Sequence, residues 1–284
     1  MATPANDFFN KLEGVWQNKL DGNWQDDLGW NFISQPRLDV PGGGDFDMRF
    51  DQMRETITFE KLDGMARNVG ITGEAGFWQA MKYEIAITDP EANGIHHEMG
   101  HLLLSVKEDG DTKESLKGPV IRQASIPRAN SMMTNGTLEI ASVADAIRSG
   151  AGKVYDAKPR SDDAQMQSGI DAEISSIQND ITTMNGPDLQ DPLPWLETKL
   201  GLPKTGGTFD WVFEFRNDKN PSQMANGQRV VNPVSVGNLL SDFWIGDRDR
   251  NGATIEVLQY AQKVDLVFHG IGWPHTAVNT LIKQ

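Results

Sequence analysis

The chain has 284 residues, a formal net charge of −14 and no cysteine. The length suits one large β domain, since β barrels and sandwiches often contain about 200–250 residues. The negative charge argues against nucleic-acid and membrane partners, and the lack of cysteine excludes disulfides, thiolate nucleophiles and cysteine-ligated metal sites. No basic region followed by an apolar run opens the chain, so we expect no signal peptide and a cytoplasmic location. The sequence leaves a homodimer open.

The first half of the chain predicts short strands separated by turns. Residues 5–16 form an amphipathic opening that leads into Gly14-Val15-Trp16. Alternating, β-branched runs follow at 55–60 and 82–88, and another apolar run occupies 102–107. Short runs bounded by turn residues are typical of sandwiches and barrels.

One segment has helical periodicity instead. Its apolar residues recur every three or four positions from 162 to 185. Ser161 or Asp162 is expected to cap the start, and Asn185 begins the turn that ends it. A second short helix is expected at 192–200. We therefore expect 150–205 to be a helical insertion or flap within a single domain spanning 1–284. The apolar positions are Met166, Ile170, Ile174, Ile177, Ile181 and Met184.

The C-terminal region gives the clearest strand pattern. Seven alternate positions from 256 to 268 fall on one face, Gly270-Ile271-Gly272 is expected to form a turn, and 273–283 is long and β-branched. These features predict an antiparallel hairpin. The second strand carries His275, but its two faces are equally apolar, so periodicity leaves the direction of this ring open.

Three of the five histidines fall in one short run, His96, His97 and His101. His97-Glu98-x-x-His101 has the spacing of a zinc metallopeptidase helix. On a helix the two rings lie about 6 Å apart along the axis and share a face, whereas on a strand they lie about 13 Å apart. Gly94 breaks a helix just before the motif. A strand is therefore favoured, and zinc metallopeptidase is kept as an alternative function.

The run from 275 to 283 reads H-T-A-V-N-T-L-I-K and resembles the C-terminal strand of nitrobindin-like heme-binding proteins. Those proteins are β-barrels similar to fatty-acid-binding proteins. Gly14-x-Trp16 resembles the opening of these barrels, and the run 95–100 resembles their Leu-His-x-Glu-x-Gly strand. The stretch 118–127 resembles larger, peroxidase-like relatives.

The resemblance implies a mainly β fold, a closed antiparallel calycin-like β-barrel that binds heme b. It implies that His275 is the axial iron ligand and that His96 lines the heme cavity. Arg122 is a candidate partner of a heme propionate, with a structural salt bridge as the alternative. His101 is a candidate distal acid–base group, but only if a bend turns it inward, because His96 and His101 have opposite parity on a regular strand.

An open distal position on the iron predicts binding of a small oxidant. The expected activity is peroxidase-like or the isomerisation of peroxynitrite. The alternative is a non-enzymatic carrier of heme or of another apolar ligand, as lipocalin-like barrels are.

Overall fold

A computed structural model gives the fold. It describes residues 4–20, 23–24, 28–36, 46–69, 75–107, 119–125, 131–139, 155–199, 211–216, 224–227, 235–250, 253–268 and 271–284. Within these ranges the helices are α1 (Pro4–Leu12), α2 (Ala164–Thr183) and α3 (Leu193–Thr198). The strands are β1 (Gly14–Gln17), β2 (Lys19–Leu20), β3 (Asn23–Trp24), β4 (Gly29–Pro36), β5 (Phe46–Val69), β6 (Ala75–Thr88), β7 (Gly94–Lys107), β8 (Pro119–Ser125), β9 (Ser131–Glu139), β10 (Trp211–Arg216), β11 (Met224–Gly227), β12 (Ser235–Arg250), β13 (Ala253–Phe268) and β14 (Ile271–Lys283).

One large antiparallel sheet dominates the described part of the chain, so the expected mainly β class is confirmed. Its strand order is β1-β14-β13-β12-β10-β9-β8-β7-β6-β5-β4, with β11 paired to β9. The strands near the two ends of this order also pair with each other, β1 with β5 and β4 with β14. β2 and β3 form a separate hairpin.

Each face of the sheet carries its own core. The main core contains alternate side chains of β5 to β10 and β12 to β14, and α1 adds Phe8, Phe9 and Leu12. We call this side of the sheet the main face. The helix-side core lies on the other face, where α2 and α3 cover β4, β12, β13 and β14. Since both faces are covered, these strands have buried apolar side chains on both sides, such as Leu281 and Val278 of β14.

The predicted helical segment is a helix, with a cap one residue later than expected. Asp163 caps α2, because its side chain accepts a hydrogen bond from the Met166 N–H at 2.7 Å. Ser161 and Asp162 therefore precede the cap. Asn185 has a φ of 55°, a left-handed conformation that ends the helix. The second helix also forms, between the predicted limits. The buried isoleucines of α2 are those of the predicted face, Ile170, Ile174, Ile177 and Ile181.

The C-terminal hairpin is confirmed, but the predicted turn is displaced. Phe268 pairs with Ile271 and Val267 pairs with Gly272, so Ile271 and Gly272 belong to β14. The connecting residues 269–270, which include His269, lie outside the described residues. Among the helices that the structure describes, none has the length and apolar character needed to cross a bilayer.

Candidate functional site

The strand register places His275 on the main face. Its Cα partners are Ile33 on β4 and Val264 on β13. Val264 and the next same-side residue of β14, Ala277, pack against the main core. Thr276 lies on the opposite face, where its hydroxyl donates to the Tyr155 carbonyl at 3.4 Å. The ring of His275, whose direction periodicity left open, therefore faces the main core.

The imidazole of His275 is held through one nitrogen only. Its Nε2 is buried and has no hydrogen-bond partner among the described residues, whereas the ring is hydrogen-bonded to the backbone of Ser34. Nδ1 is therefore the nitrogen that contacts Ser34. Burial lowers the pKa of His275 to about 4, and the charges of His96 and Arg49 act in the same direction while the Ser34 bond opposes them. The ring is thus neutral at physiological pH, the form that binds metal ions.

Strand β7 brings His96 and Glu98 to the main face. His96 Nε2 lies 3.5 Å from Glu98 Oε2, and Arg122 Nη2 donates to Glu98 Oε1 at 2.7 Å. Glu98 is buried, which by itself raises the pKa of its carboxyl group. The Arg122 charge and the hydrogen bonds from His96 and Tyr83 outweigh that effect and lower the pKa to about 2. Glu98 is therefore a carboxylate that can orient the ring of His96.

Arg122 belongs to this buried network. Only 2% of the residue is exposed. Besides Glu98, its guanidinium donates to Tyr83 Oη at 3.2 Å, to Gln262 Oε1 at 2.7 Å and to Ser241 Oγ at 3.3 Å. Four hydrogen bonds occupy most of the five donors of an arginine. Arg122 therefore forms the structural salt bridge that was the alternative, and its guanidinium is not free to reach a heme propionate.

His97 and His101 lie on the other face of β7. His97 is exposed and its Nε2 lies 3.0 Å from the Glu84 carboxylate of β6. The register with β6 is regular from His96 to Lys107, so no bend turns His101 inward. The two rings are about 13 Å apart along the strand and cannot share a zinc ion. Nor does any group of three or more His, Cys, Asp or Glu residues in the described ranges form a metal site.

Sequence reasoning missed a second buried acid, Glu55. Its Oε2 accepts hydrogen bonds from Tyr260 Oη at 2.7 Å and from Asn279 Nδ2 at 2.5 Å, while its own N–H donates to Asn18 Oδ1. Burial raises the pKa of Glu55 to about 7, although the bonds from Tyr260 and Asn279 act to lower it. The sequence did contain a signal for this buried acid, because Glu55 is in phase with Ile57 on the apolar side of an alternating strand.

Two small cavities lie on the two faces of the sheet. The main-core cavity has a volume of about 10 Å³, room for one water molecule, and the helix-side cavity about 20 Å³. Ligand pockets usually have about 300–1,000 Å³. Neither of these two cavities has room for a porphyrin. The main-core cavity is lined by Ile57, Phe59, Tyr83, Ile85, Leu102, Arg122, Phe213, Phe215 and Phe243.

No protein-family model matches the chain, and neither a curated protein nor a solved structure is significantly similar to it. The features of the chain that bear on its function are therefore His275, His96 and the buried polar network.

Proposed function

We propose that the chain is a heme-binding protein in which Nε2 of His275 is the axial ligand of heme b. The buried, unpartnered Nε2 is the observation that carries this proposal. A buried polar atom without a partner costs about 1–3 kcal/mol, and coordination to an iron ion would satisfy Nε2. His275 also lies on the strand whose sequence resembles the heme-binding strand of nitrobindin-like proteins.

The surroundings of His275 suit metal ligation. A histidine that binds a metal through one ring nitrogen usually has the other held by a hydrogen bond, which fixes the tautomer and the ring orientation. Ser34 supplies that bond here. The low pKa of His275 means that no proton has to leave before a metal binds. When bound, heme with one histidine ligand offers an open position for a small oxidant.

We also propose that the sheet closes as a calycin-like barrel. Two pairings that join opposite ends of the strand order support closure, β4 with β14 and β1 with β5. A closed sheet has no free edge strands, which protects a long sheet from pairing with another chain. The main core would then be the barrel interior, with α1 packed against one end.

The expected chemistry at the open position is peroxidase-like or peroxynitrite isomerisation. Of the described histidines, only His96 shares the main face with His275. Its contact with Glu98 supports a role as the polar group beside the oxidant. Because Arg122 and Glu98 satisfy each other and His101 faces away, the described site offers, beyond His96, only Glu55 as a further acid–base group. That scarcity favours the second candidate, a non-enzymatic carrier of heme or of another apolar ligand.

A hemin titration tests the proposal. The wild type should bind hemin with the Soret band of a histidine-ligated iron, and His275→Ala should bind at least about 10-fold more weakly. His97→Ala is the matched control, because His97 is exposed on the opposite face of β7. Added imidazole should restore the band in His275→Ala. A wild-type spectrum identical to that of free hemin, or equal binding by His275→Ala, would refute heme ligation. If the protein binds hemin but turns over peroxide and peroxynitrite no faster than free hemin does, the non-enzymatic carrier is the supported function.

A further inference from the structure

The chain contains only three tyrosines, and each is buried with its phenolic O–H donated to a carboxylate. A phenol loses an electron most readily when a base stands ready to take its proton, because the charged radical cation is then avoided. Each pair therefore has the hydrogen bond that is required for coupled loss of an electron and a proton from the tyrosine. The pairs are Tyr83 with Glu98, Tyr155 with Asp242 and Tyr260 with Glu55.

The pair of Tyr260 and Glu55 has a better proton acceptor than the pair of Tyr83 and Glu98. The pKa of Glu55, raised by burial to about 7, makes its carboxylate able both to take and to return a proton near neutral pH. Within the described residues, no lysine or arginine forms an ion pair with Glu55. Asn279 holds the accepting oxygen in place with a second hydrogen bond.

The pair of Tyr83 and Glu98 is a natural control in the same core. Its hydrogen bond has nearly the same length, 2.6 Å against 2.7 Å. Arg122, however, donates to both partners. With a pKa lowered to about 2, Glu98 is a weak base. The positive charge of Arg122 also opposes the loss of an electron from Tyr83.

We propose that Tyr260 and Glu55 form a proton-coupled redox pair. A one-electron oxidant of the metal-complex class takes an electron from Tyr260, and the phenolic proton moves from Oη to Oε2 of Glu55. The products are a neutral tyrosyl radical and a neutral carboxylic acid. Reduction by one electron returns the proton to Tyr260 and restores the carboxylate.

Tyr260 lies near the proposed heme site, but the redox pair does not depend on heme binding. Tyr260 lies on the main face, four residues along β13 from Val264, the Cα partner of His275. That separation is about 13 Å along the strand. An oxidised metal centre held by His275 is thus one source of the oxidant. A photo-oxidised ruthenium tris(bipyridine) complex in solution is another, and it requires no heme.

Flash photolysis of the heme-free protein with this ruthenium complex and a sacrificial acceptor tests the pair. Electron paramagnetic resonance and transient absorption distinguish a tyrosyl radical from a tryptophanyl radical. We expect a tyrosyl signal in the wild type and in Tyr83→Phe, and at least a 10-fold loss in Tyr260→Phe. A signal that survives in Tyr260→Phe, or that disappears in Tyr83→Phe, overturns the proposal.

Glu55→Gln tests the proton acceptor, because it keeps the shape but not the base. The tyrosyl yield should fall about 10-fold, and an unchanged yield overturns the proposal. If circular dichroism shows that this variant is unfolded, the wild-type pH profile decides. The oxidation rate should fall as pH decreases through about 7, where Glu55 takes up a proton, and a flat profile overturns the proposal. The other titratable groups near Glu55 are Tyr260 on β13 and His96 and Glu98 on β7.

Discussion

The ring of His275 is hydrogen-bonded to the backbone of Ser34, the residue that follows its Cα partner Ile33 on β4. The pairing of two strands therefore sets the orientation of the ring, and no charged side chain is needed for it. A backbone carbonyl also cannot be removed by a side-chain substitution. The interaction thus fixes the orientation and tautomer of the imidazole for as long as β4 and β14 remain paired, while burial keeps the ring neutral.

His275 should destabilise the protein in mild acid. Its pKa is about 4 in the folded chain against 6.5 ordinarily, so the unfolded chain binds more protons between these pH values. The stability associated with His275 is complete above pH 6.5 and is lost toward pH 4, by about 3 kcal/mol in all. Urea unfolding should be measured for His275→Gln and the wild type at several pH values from 7 to 5. As pH falls, the free energy of unfolding of the variant should increase relative to that of the wild type. Parallel pH profiles for the two proteins would contradict the shift.

Glu55 should have the opposite pH dependence. Its pKa is about 7 when folded against 4.5 ordinarily, so the folded chain binds more protons between these values and stability falls as pH rises. Because this window overlaps that of His275, the two effects offset each other in the wild type. Glu55→Gln should expose the His275 slope, with stability that increases by up to about 1.4 kcal/mol per pH unit from pH 5 to pH 6.5. A slope unchanged from the wild type would show that Glu55 titrates normally.

Breaking the ion pair of Arg122 and Glu98 should be costly. Arg122→Met leaves a buried carboxylate without its cation, which typically costs about 3–5 kcal/mol. Adding Glu98→Gln should recover part of that loss, because the uncompensated charge is then removed. Lys82→Met is the control, since Lys82 pairs with Glu60 at an exposed site, where a salt bridge is worth about 0–1 kcal/mol. Urea unfolding at pH 7 measures all three, and equal losses for Lys82→Met and Arg122→Met would contradict the assignment.

Gly100 should tolerate no side chain. A Cβ there would lie 1.8 Å from the Gln123 carbonyl oxygen and 2.8 Å from Tyr83 Oη. Because the backbone of β8 would have to move, we expect Gly100→Ala to lower stability by about 3 kcal/mol or more. Gly94→Ala, at the start of the same strand, is the control because no atom in the described part of the chain lies within 4 Å of its Cβ position. Thermal unfolding should separate the two variants clearly, and similar melting temperatures would count against this packing.

The elements that sequence predicted best are those with one periodic apolar face. α2 shows its four isoleucines at helical spacing, and its buried face agrees with the prediction. The direction of His275 was not predictable in the same way. Thr276 and Val278 on the opposite side of β14 are buried on the face that α2 and α3 cover. A strand that is covered on both sides has no polar face to indicate its orientation.

The buried polar networks were beyond sequence reasoning for a different reason. Glu55 and Asn279 are separated by 224 positions, and Arg122 and Gln262 by 140. These partners lie on strands that are not neighbours in the sheet, and they meet only because the fold brings the main-face side chains of those strands together. Charged residues in phase with apolar ones, such as Glu55 and Glu98, were visible in the sequence. Their partners, and the opposite directions of their pKa shifts, depended on the strand register.

The two covered faces of β14 give α2 and α3 a consequence beyond stability. Odd-numbered residues such as His275 face the main core, and even-numbered residues such as Val278 belong to the helix-side core, with only one backbone between them. We expect a ligand that orders this backbone from one side to order the residues packed on its other side. The amide hydrogen-exchange rates of α2 should therefore report, from a distance, what binds to His275.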